Sequence, residues 1–185
     1  MSGGVLRLVL FAAISGGLLR LSWKALRVVG SHGFYRFFAW EAILALIVIN
    51  SRTWFSDPWS LLQIVSWSLL LVSLVMLGLG LHLIVAGKPT SRRQDETLLS
   101  FEKTTALVTT GIYRQVRHPL YGSLLFLAWG AFLKGTAWYS VCLVVVATLC
   151  LVATAKADEA ECVRYFGSPY EQYMKRTRMF VPWLF

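Results

Sequence analysis

The sequence is short of charge. Charged residues make up 15% of its 185 residues, whereas 57% are hydrophobic and the mean hydropathy is +0.62. This balance is too apolar for an ordinary soluble domain of that length. We therefore predict an integral membrane protein.

Cysteine, histidine and glycine motifs are also missing. The three cysteines have no CxxC spacing, and the three histidines form no HExxH motif. These spacings predict reduced cysteines, no disulfide framework and no metal centre. A GxGxxG motif is absent as well, and the nearest glycine cluster, GLG at residues 78–80, lies within an apolar run and is expected to serve helix packing.

Linkers and repeats are absent too. No run of Pro, Ser or Gly is long enough to connect two domains, so we predict a single domain over residues 1–185. The start of the chain, MSGGVLRLVLFAAISGG, has no basic stretch before its apolar part, which argues against a cleaved signal peptide.

What the sequence does contain is a series of five apolar runs. A transmembrane helix needs about 20 mainly apolar residues. The first run is the weakest candidate, because Arg7 and Arg20 must extend to the headgroups, and four spans remain if it lies on the surface. The fold class predicted is all-α, a polytopic membrane bundle of about five transmembrane helices with a C-terminal interfacial helix in the tail YEQYMKRTRMFVPWLF. The candidate spans are residues 5–23, 37–50, 61–86, 120–133 and 138–155.

The 18 basic residues outnumber the 9 acidic ones and stand at the ends of the apolar runs. Most of them fall in the stretches 24–36, 88–117 and 156–178, which the five spans place on one face. The positive-inside rule makes this face cytoplasmic, with the N-terminus outside and the C-terminus inside, in a bacterial inner membrane. The same distribution favours membrane lipids over nucleic acid as the partner of the positive charge.

A basic motif, VRHPLY, directly precedes the fourth span. Pro119 fits the first turn of a helix, where the free N–H groups can hold an anion, and Arg117 and His118 add donors beside it. The fourth and fifth spans are joined by a short connection and form a hairpin, so Asp158 and Glu159, expected just past the fifth helix, return to the same face. Taken singly, Arg117 is explained as a headgroup anchor, Pro119 as a helix start, and Asp158 and Glu159 as solvated acids. Taken together, these residues suit a ligand that carries a positive and a negative charge.

The segment LVTTGIYRQVRHPLY (107–121), followed by an apolar hairpin and ADEAECVRYFGSPYEQYMKRT (157–177), resembles the isoprenylcysteine carboxyl methyltransferase family and its phospholipid methyltransferase relatives. The resemblance covers the C-terminal half. It implies S-adenosylmethionine as methyl donor, bound by a membrane fold unrelated to the soluble Rossmann methyltransferases. Residues 87–185 are then the cofactor-binding half, and residues 1–86 supply N-terminal helices.

The resemblance also implies where the cofactor binds, with Arg117 as a donor beside the helix start. Two residues depart from the family pattern: Asp158 replaces the first Glu of an acidic pair, and Thr154 replaces an arginine about four residues earlier. The second departure leaves the methyl acceptor open among a lipophilic amine, a fatty or isoprenoid acid and a phospholipid headgroup. The cofactor-binding candidates are Leu107, Val108, Tyr113, Arg117, His118, Pro119, Leu120, Tyr121, Asp158 and Glu159.

Two glutamates are candidate catalytic bases. Glu159 belongs to the acidic pair, and Glu41 lies in the second span, where an acidic side chain is costly and so points to function. Glu41 could orient an amine acceptor or take its proton; an ion pair with Arg36 at the membrane rim explains it equally well.

The sequence thus predicts an integral membrane S-adenosylmethionine-dependent methyltransferase that acts on a lipophilic small molecule or lipid entering from the bilayer. Two alternatives stay open. One is an NADPH-dependent membrane reductase of the sterol-reductase type, although those enzymes are longer and have more spans. The other is a noncatalytic lipid-binding or adaptor protein.

Overall fold

The computed structural model describes residues 3–86 and 106–182, and within these ranges the chain is helical with no strand. The regular structure beyond the helices is one isolated parallel bridge between Val116 and Arg178. The all-α prediction is confirmed. The helices are α1 (Gly3–Leu26), α2 (His32–Ile49), α3 (Leu61–Ala86), α4 (Pro119–Phe132), α5 (Trp138–Phe166) and α6 (Ser168–Arg176), with single 3₁₀ turns at Asn50–Arg52 and Gly111–Arg114.

Four of these helices, α1, α2, α3 and α5, are long and apolar enough to cross a membrane. Helix α4 is apolar but has only 14 residues, which gives it a length of about 21 Å, less than the hydrocarbon core of a bilayer. The shortest candidate span is therefore α4, whereas α1, the weakest by sequence, is a continuous helix of 24 residues. Four or five apolar helices indicate an integral membrane protein.

Helix α5 corrects one prediction about the acidic pair. The sequence analysis ended this helix at residue 155, but it continues to Phe166, because the segment after the apolar run is rich in alanine and glutamate, which are good helix formers. It ends at Gly167, whose positive φ of 66° suits glycine and whose N–H bonds Val163 O at 2.8 Å. Asp158 and Glu159 therefore lie on α5 and not beyond it.

Helix α2 begins earlier than the apolar run suggested. Ser31 caps it, with the Ser31 hydroxyl accepting a hydrogen bond from Phe34 N at 3.1 Å. The helix therefore starts at His32, five residues before the predicted span. This extra turn brings His32 and Arg36 into the bundle, where both side chains are buried.

The bundle is made of two closely packed pairs, α3 with α4 and α2 with α5, and α4 also packs on α5. The first pair is held by hydroxyl groups bonded to carbonyls of α4, from Ser66 to Gly130 O and from Ser73 to Ser123 O, each at 2.7 Å. Of the glycines at residues 78–80, only Gly80 serves packing, since a Cβ there would lie 2.9 Å from Leu120 Cδ2, whereas Gly78 faces open space. Helix α1 packs against α2 and is otherwise largely exposed.

The core lies between α2, α4 and α5. Much of it is alanine, which lets the helix axes approach closely. We call the end of the bundle that holds the start of α4 the motif end, because the segment VRHPLY lies there; the opposite end holds the α4–α5 connection. The buried core residues are Ala39, Ala42, Ile43, Leu46, Tyr121, Ala128, Ala131, Val144, Ala147, Leu151, Ala155 and Phe180.

Candidate active site

The motif segment is fixed by the chain that follows α6. Arg117 N donates to Arg178 O at 2.9 Å and His118 N to Met179 O at 3.1 Å, while Arg178 N donates to Gln115 O at 2.9 Å. The N–H groups of Arg117 and His118 are thus bonded to the C-terminal segment. The pairing holds the side chains of Arg117 and His118 toward α5. Pro119 is the first residue of α4, as predicted.

Four charged side chains meet at the motif end. Arg117 Nε donates to Glu159 Oε1, and Arg117 Nη1 donates to Thr177 O at 2.8 Å. His118 lies between the two acids, with Nε2 3.2 Å from Glu159 Oε1 and Nδ1 3.4 Å from Asp158 Oδ2. The sequence analysis brought the basic and acidic groups to one face; the structure joins them directly.

The state of His118 follows from this contact. Burial by itself lowers the pKa of a histidine, but the hydrogen bonds and charges of Asp158 and Glu159 outweigh it and raise the pKa of His118 above its ordinary value. The two neighbouring carboxylates therefore favour the imidazolium form of this side chain. Its ring also stacks on Tyr121, with 5.5 Å between the ring centroids.

A cavity of about 350 Å³ opens beside this cluster. Every predicted cofactor-binding residue except Glu159 lines it; Glu159 instead contacts two lining residues, Arg117 and His118. The role of these residues in binding a cofactor stays a prediction. The lining residues are Arg36, Trp40, Leu77, Leu81, Ile84, Ala106, Leu107, Val108, Tyr113, Arg117, His118, Pro119, Leu120, Tyr121, Ser123, Leu124, Asp158, Cys162, Phe166, Tyr170 and Tyr173.

The cavity wall is polar on one side and apolar on the other. Helices α5 and α6 contribute Asp158, Tyr170 and Tyr173, and Tyr173 OH donates to Tyr113 O at 2.7 Å. Burial raises the pKa of Tyr113, Tyr170 and Tyr173, so their hydroxyl groups stay neutral. On the other side, α3 contributes leucine and isoleucine. Such a wall can hold a charged head and an apolar body in one site.

Glu41, the other candidate base, is not brought to the cavity. Its carboxylate accepts a hydrogen bond from Ser15 of α1 at 2.6 Å. Arg36 and Trp40 are four residues apart on α2 and so share a helix face, and that face lines the cavity; Glu41 is one residue further on and points about 100° away. The guanidinium of Arg36 lies 4.9 Å from the Trp40 ring centroid.

Sequence reasoning missed several lining residues. Arg36 and Trp40 have helical spacing in FYRFFAW, so a helical projection from Ser31 would have put them on one face. Tyr170 and Tyr173 are part of the quoted motif, but no role was assigned to them. The residues of α3 carry no signal in the sequence, because every face of that helix is apolar.

Within the described residues, one group has the composition of a metal site. His32, Asp158 and Glu161 each offer a ligand atom within 4.8 Å of the others. Glu161 already has a structural role, because its carboxylate accepts from His32 N at 3.3 Å and lies 2.8 Å from His32 Nδ1. This contact joins the start of α2 to α5 next to the cavity.

The three cysteines lie on α5. Cys142, Cys150 and Cys162 are free thiols. Cys162 lines the cavity, and its Sγ lies 3.6 Å from Asp158 Oδ1.

Fold and site together define a class of protein. It is a polytopic helical membrane protein, and a cavity with a polar side and an apolar side lies where its basic and acidic motifs meet. A comparison with protein families matches residues 67–168, more than half of the chain, to the phospholipid methyltransferase family. The chain belongs to this family. The matched range runs from α3 through α5 and includes the whole motif segment. Parallel searches of curated proteins and of solved structures gave no match.

Family membership makes this a membrane protein of the methyltransferase type. It also confirms the resemblance on which the sequence analysis relied, because the matched range contains RHPLY and the acidic pair.

Proposed function

We propose that the protein transfers a methyl group from S-adenosylmethionine to a lipophilic acceptor, and that the cavity at the motif end holds the donor. The observation that carries this proposal is the meeting of His118 and Asp158 in the wall of one cavity, within a chain of a methyltransferase family. S-adenosylmethionine has a carboxylate, an ammonium, a ribose and an adenine in one molecule.

The donor groups available in the cavity fit these parts. The positive charge of His118 attracts the carboxylate, and the carboxylate of Asp158 suits the ammonium or the ribose hydroxyls. Tyr121 and Phe166 offer aromatic faces to the adenine. A volume of about 350 Å³ lies within the usual range for ligand pockets.

Bound there, the cofactor supplies a methyl group already activated by its positive sulfur. The protein has to align the acceptor with this group and keep water away, and proximity accounts for most of the rate. A carboxylate acceptor needs no base. An amine acceptor needs a base, for which Glu159, in contact with Arg117 and His118 of the cavity wall, is the candidate. Glu41, the other candidate, is hydrogen-bonded to Ser15 and does not line the cavity.

The acceptor reaches the cavity from the bilayer in this proposal, and the donor reaches it from the cytoplasm. The basic residues of stretches 106–117 and 156–178 at the motif end support a cytoplasmic orientation of that end. This puts the N-terminus outside and fits a bacterial inner membrane.

The test is transfer of label from methyl-labelled S-adenosylmethionine by purified protein in lipid nanodiscs supplied with a bacterial lipid extract. We expect label in the organic phase with wild type and with Glu171→Gln, an exposed acid of α6. Asp158→Asn should lose at least about tenfold, because it removes a charged hydrogen-bonding group. Label released by mild base identifies a methyl ester, and stable label an N-methyl group.

The proposal is overturned if folded wild type transfers no label. Oxidation of NADPH by the same preparation would then favour the reductase, and inactivity with both cofactors would favour the adaptor.

A further inference from the structure

A loop before α4 supplies part of the cavity wall. Residues 106–115, which we call the cavity loop, have a single 3₁₀ turn, Gly111–Arg114, as their regular structure. Leu107, Val108 and Tyr113 of this loop line the cavity. A loop has few hydrogen bonds of its own, so its position depends on the elements packed against it. The shape of this wall is therefore determined by the contacts that hold the loop.

On one side, the cavity loop lies against the end of α3. Gly111 has a positive φ of 58°, a conformation that suits glycine, and a Cβ at this position would lie 2.6 Å from Leu83 Cδ1. The loop backbone thus approaches α3 more closely than a residue with a side chain would allow. Helix α3 fixes the loop from this side.

On the other side, a side chain of α6 holds the loop. Tyr173 OH donates to Tyr113 O at 2.7 Å, and both tyrosines are buried and line the cavity. Among the described residues, Tyr113 O accepts no second hydrogen bond. Because burial raises the pKa of Tyr173, its hydroxyl keeps its proton and stays a donor. Loss of this hydroxyl would leave a buried carbonyl without a partner.

The other contacts between the loop and the chain around α6 are of a different kind. The main-chain bonds to the C-terminal segment begin two residues later, where Arg178 N donates to Gln115 O. Tyr170, which also lines the cavity, packs against the ring of Tyr173 with 5.8 Å between the centroids. Within the described part of the chain, Tyr173 is thus the side chain that joins α6 to Tyr113 by a hydrogen bond.

We propose that Tyr173 is a positioning residue for donor binding. Its hydroxyl holds the cavity loop at a fixed distance from α6, and this distance sets the space in which S-adenosylmethionine binds. The hydroxyl acts through Tyr113 O and is not a catalytic group. This inference rests on the proposed methyltransferase function and adds to it a residue that works at one remove from the donor.

The test compares Tyr173→Phe, which removes only the hydroxyl, with wild type. Binding of S-adenosylmethionine to the purified full-length protein in detergent is measured by calorimetry, and amide hydrogen exchange by mass spectrometry. We expect Tyr173→Phe to bind the donor about tenfold more weakly and to exchange the amides of residues 106–115 about tenfold faster. In the label-transfer assay, KM for the donor should rise by the same factor while kcat is unchanged.

A second variant acts on the same loop from the α3 side. Gly111→Ala strains the positive φ and places a methyl group against Leu83, so it should displace the cavity loop and also weaken donor binding. Because both substitutions act on one loop, their combination should weaken binding by less than the product of the two single effects.

The matched control is Tyr139→Phe, which also removes only a hydroxyl. Tyr139 is exposed, lies in the first turn of α5 at the opposite end of the bundle and does not line the cavity. This variant should bind the donor and exchange its loop amides as wild type does.

Unchanged donor affinity in folded Tyr173→Phe overturns the inference, whether or not the apparent Tm falls. Weaker binding without faster exchange of residues 106–115 overturns it too, because Tyr173 would then act on the donor directly. Absence of donor binding in wild type contradicts the proposed function instead. Exchange of the loop amides needs no donor, so it reports separately whether Tyr173 holds the loop.

Discussion

At the residue scale, the site is a charge cluster that is balanced before any ligand binds. Arg117 and His118 contribute two positive charges and Asp158 and Glu159 two negative ones, and Glu159 contacts both cations. Buried charges are tolerated when they are paired in this way. Glu159 therefore positions His118 and Arg117, while Asp158, which lines the cavity, remains in reach of a ligand.

The first prediction concerns pH. Because the pKa of His118 is raised in the folded protein, its attraction to Asp158 and Glu159 stabilises the fold fully below the ordinary histidine pKa and is lost as pH rises through the raised value. The apparent Tm of wild type should therefore fall relative to that of His118→Gln as the pH rises above about 6.5, the ordinary pKa of histidine. Scanning fluorimetry of both proteins in detergent measures the difference. Parallel curves, or a difference that grows in the other direction, contradict the imidazolium assignment.

At the element scale, helix packing determines where the cavity forms. Helices α3 and α4 approach closely because Gly130 has no side chain: a Cβ there would lie 2.9 Å from Leu70 Cγ and 3.3 Å from Ser66 O. Helices α2 and α3 both line the cavity, and each is packed most closely against a different partner, α5 and α4. The cavity is thus a product of two helix pairs set side by side.

This packing predicts opposite results for two glycines in apolar helices. Gly130→Ala should destabilise by roughly 1–3 kcal/mol, since the methyl group overpacks the α3–α4 contact, and the apparent Tm should fall by several degrees. Gly78→Ala, which meets open space, should leave the apparent Tm unchanged or raise it slightly. Thermal unfolding in detergent compares the two variants. If the two substitutions changed the apparent Tm equally, the close packing of α3 against α4 at Gly130 would be contradicted.

The sequence predicted the apolar elements better than their ends and contacts. Hydropathy located every transmembrane candidate, but not the continuation of α5 to Phe166, because propensity and not hydropathy extends that helix past the apolar run. The motifs identified most of the cavity wall, since His118 and Asp158 lie at fixed positions along a hairpin. The sequence placed Arg36 at the membrane rim and made Glu41 a site candidate, whereas in the structure Arg36 lines the cavity and Glu41 contacts α1. Sequence alone could not tell them apart, because the face of α2 that meets the cavity depends on how α2 packs on α5.

At the scale of the whole molecule, the charge pattern and the cavity are at the same end. Within the described residues, the basic groups Arg114, Lys156, Arg164 and Arg178 and the charge cluster belong to the motif end, and exposed apolar side chains are concentrated on α1, α3 and α5. In the proposed reaction, this arrangement would bring a water-soluble donor and a membrane-soluble acceptor to one point. Trp183 and Phe185, at the end of the tail predicted to form an interfacial helix, fall outside the described residues.

The central claim is that the cavity binds S-adenosylmethionine, and isothermal titration calorimetry of the purified protein in detergent tests it most directly. Wild type and Glu171→Gln should bind the cofactor and its demethylated product, whereas His118→Ala, folded by the criterion of its melting curve, should bind at least about tenfold more weakly. NADPH, titrated under the same conditions, should give no heat of binding. Folded wild type that binds NADPH or neither nucleotide, or a His118→Ala variant that binds the methyl donor as wild type does, would contradict the account.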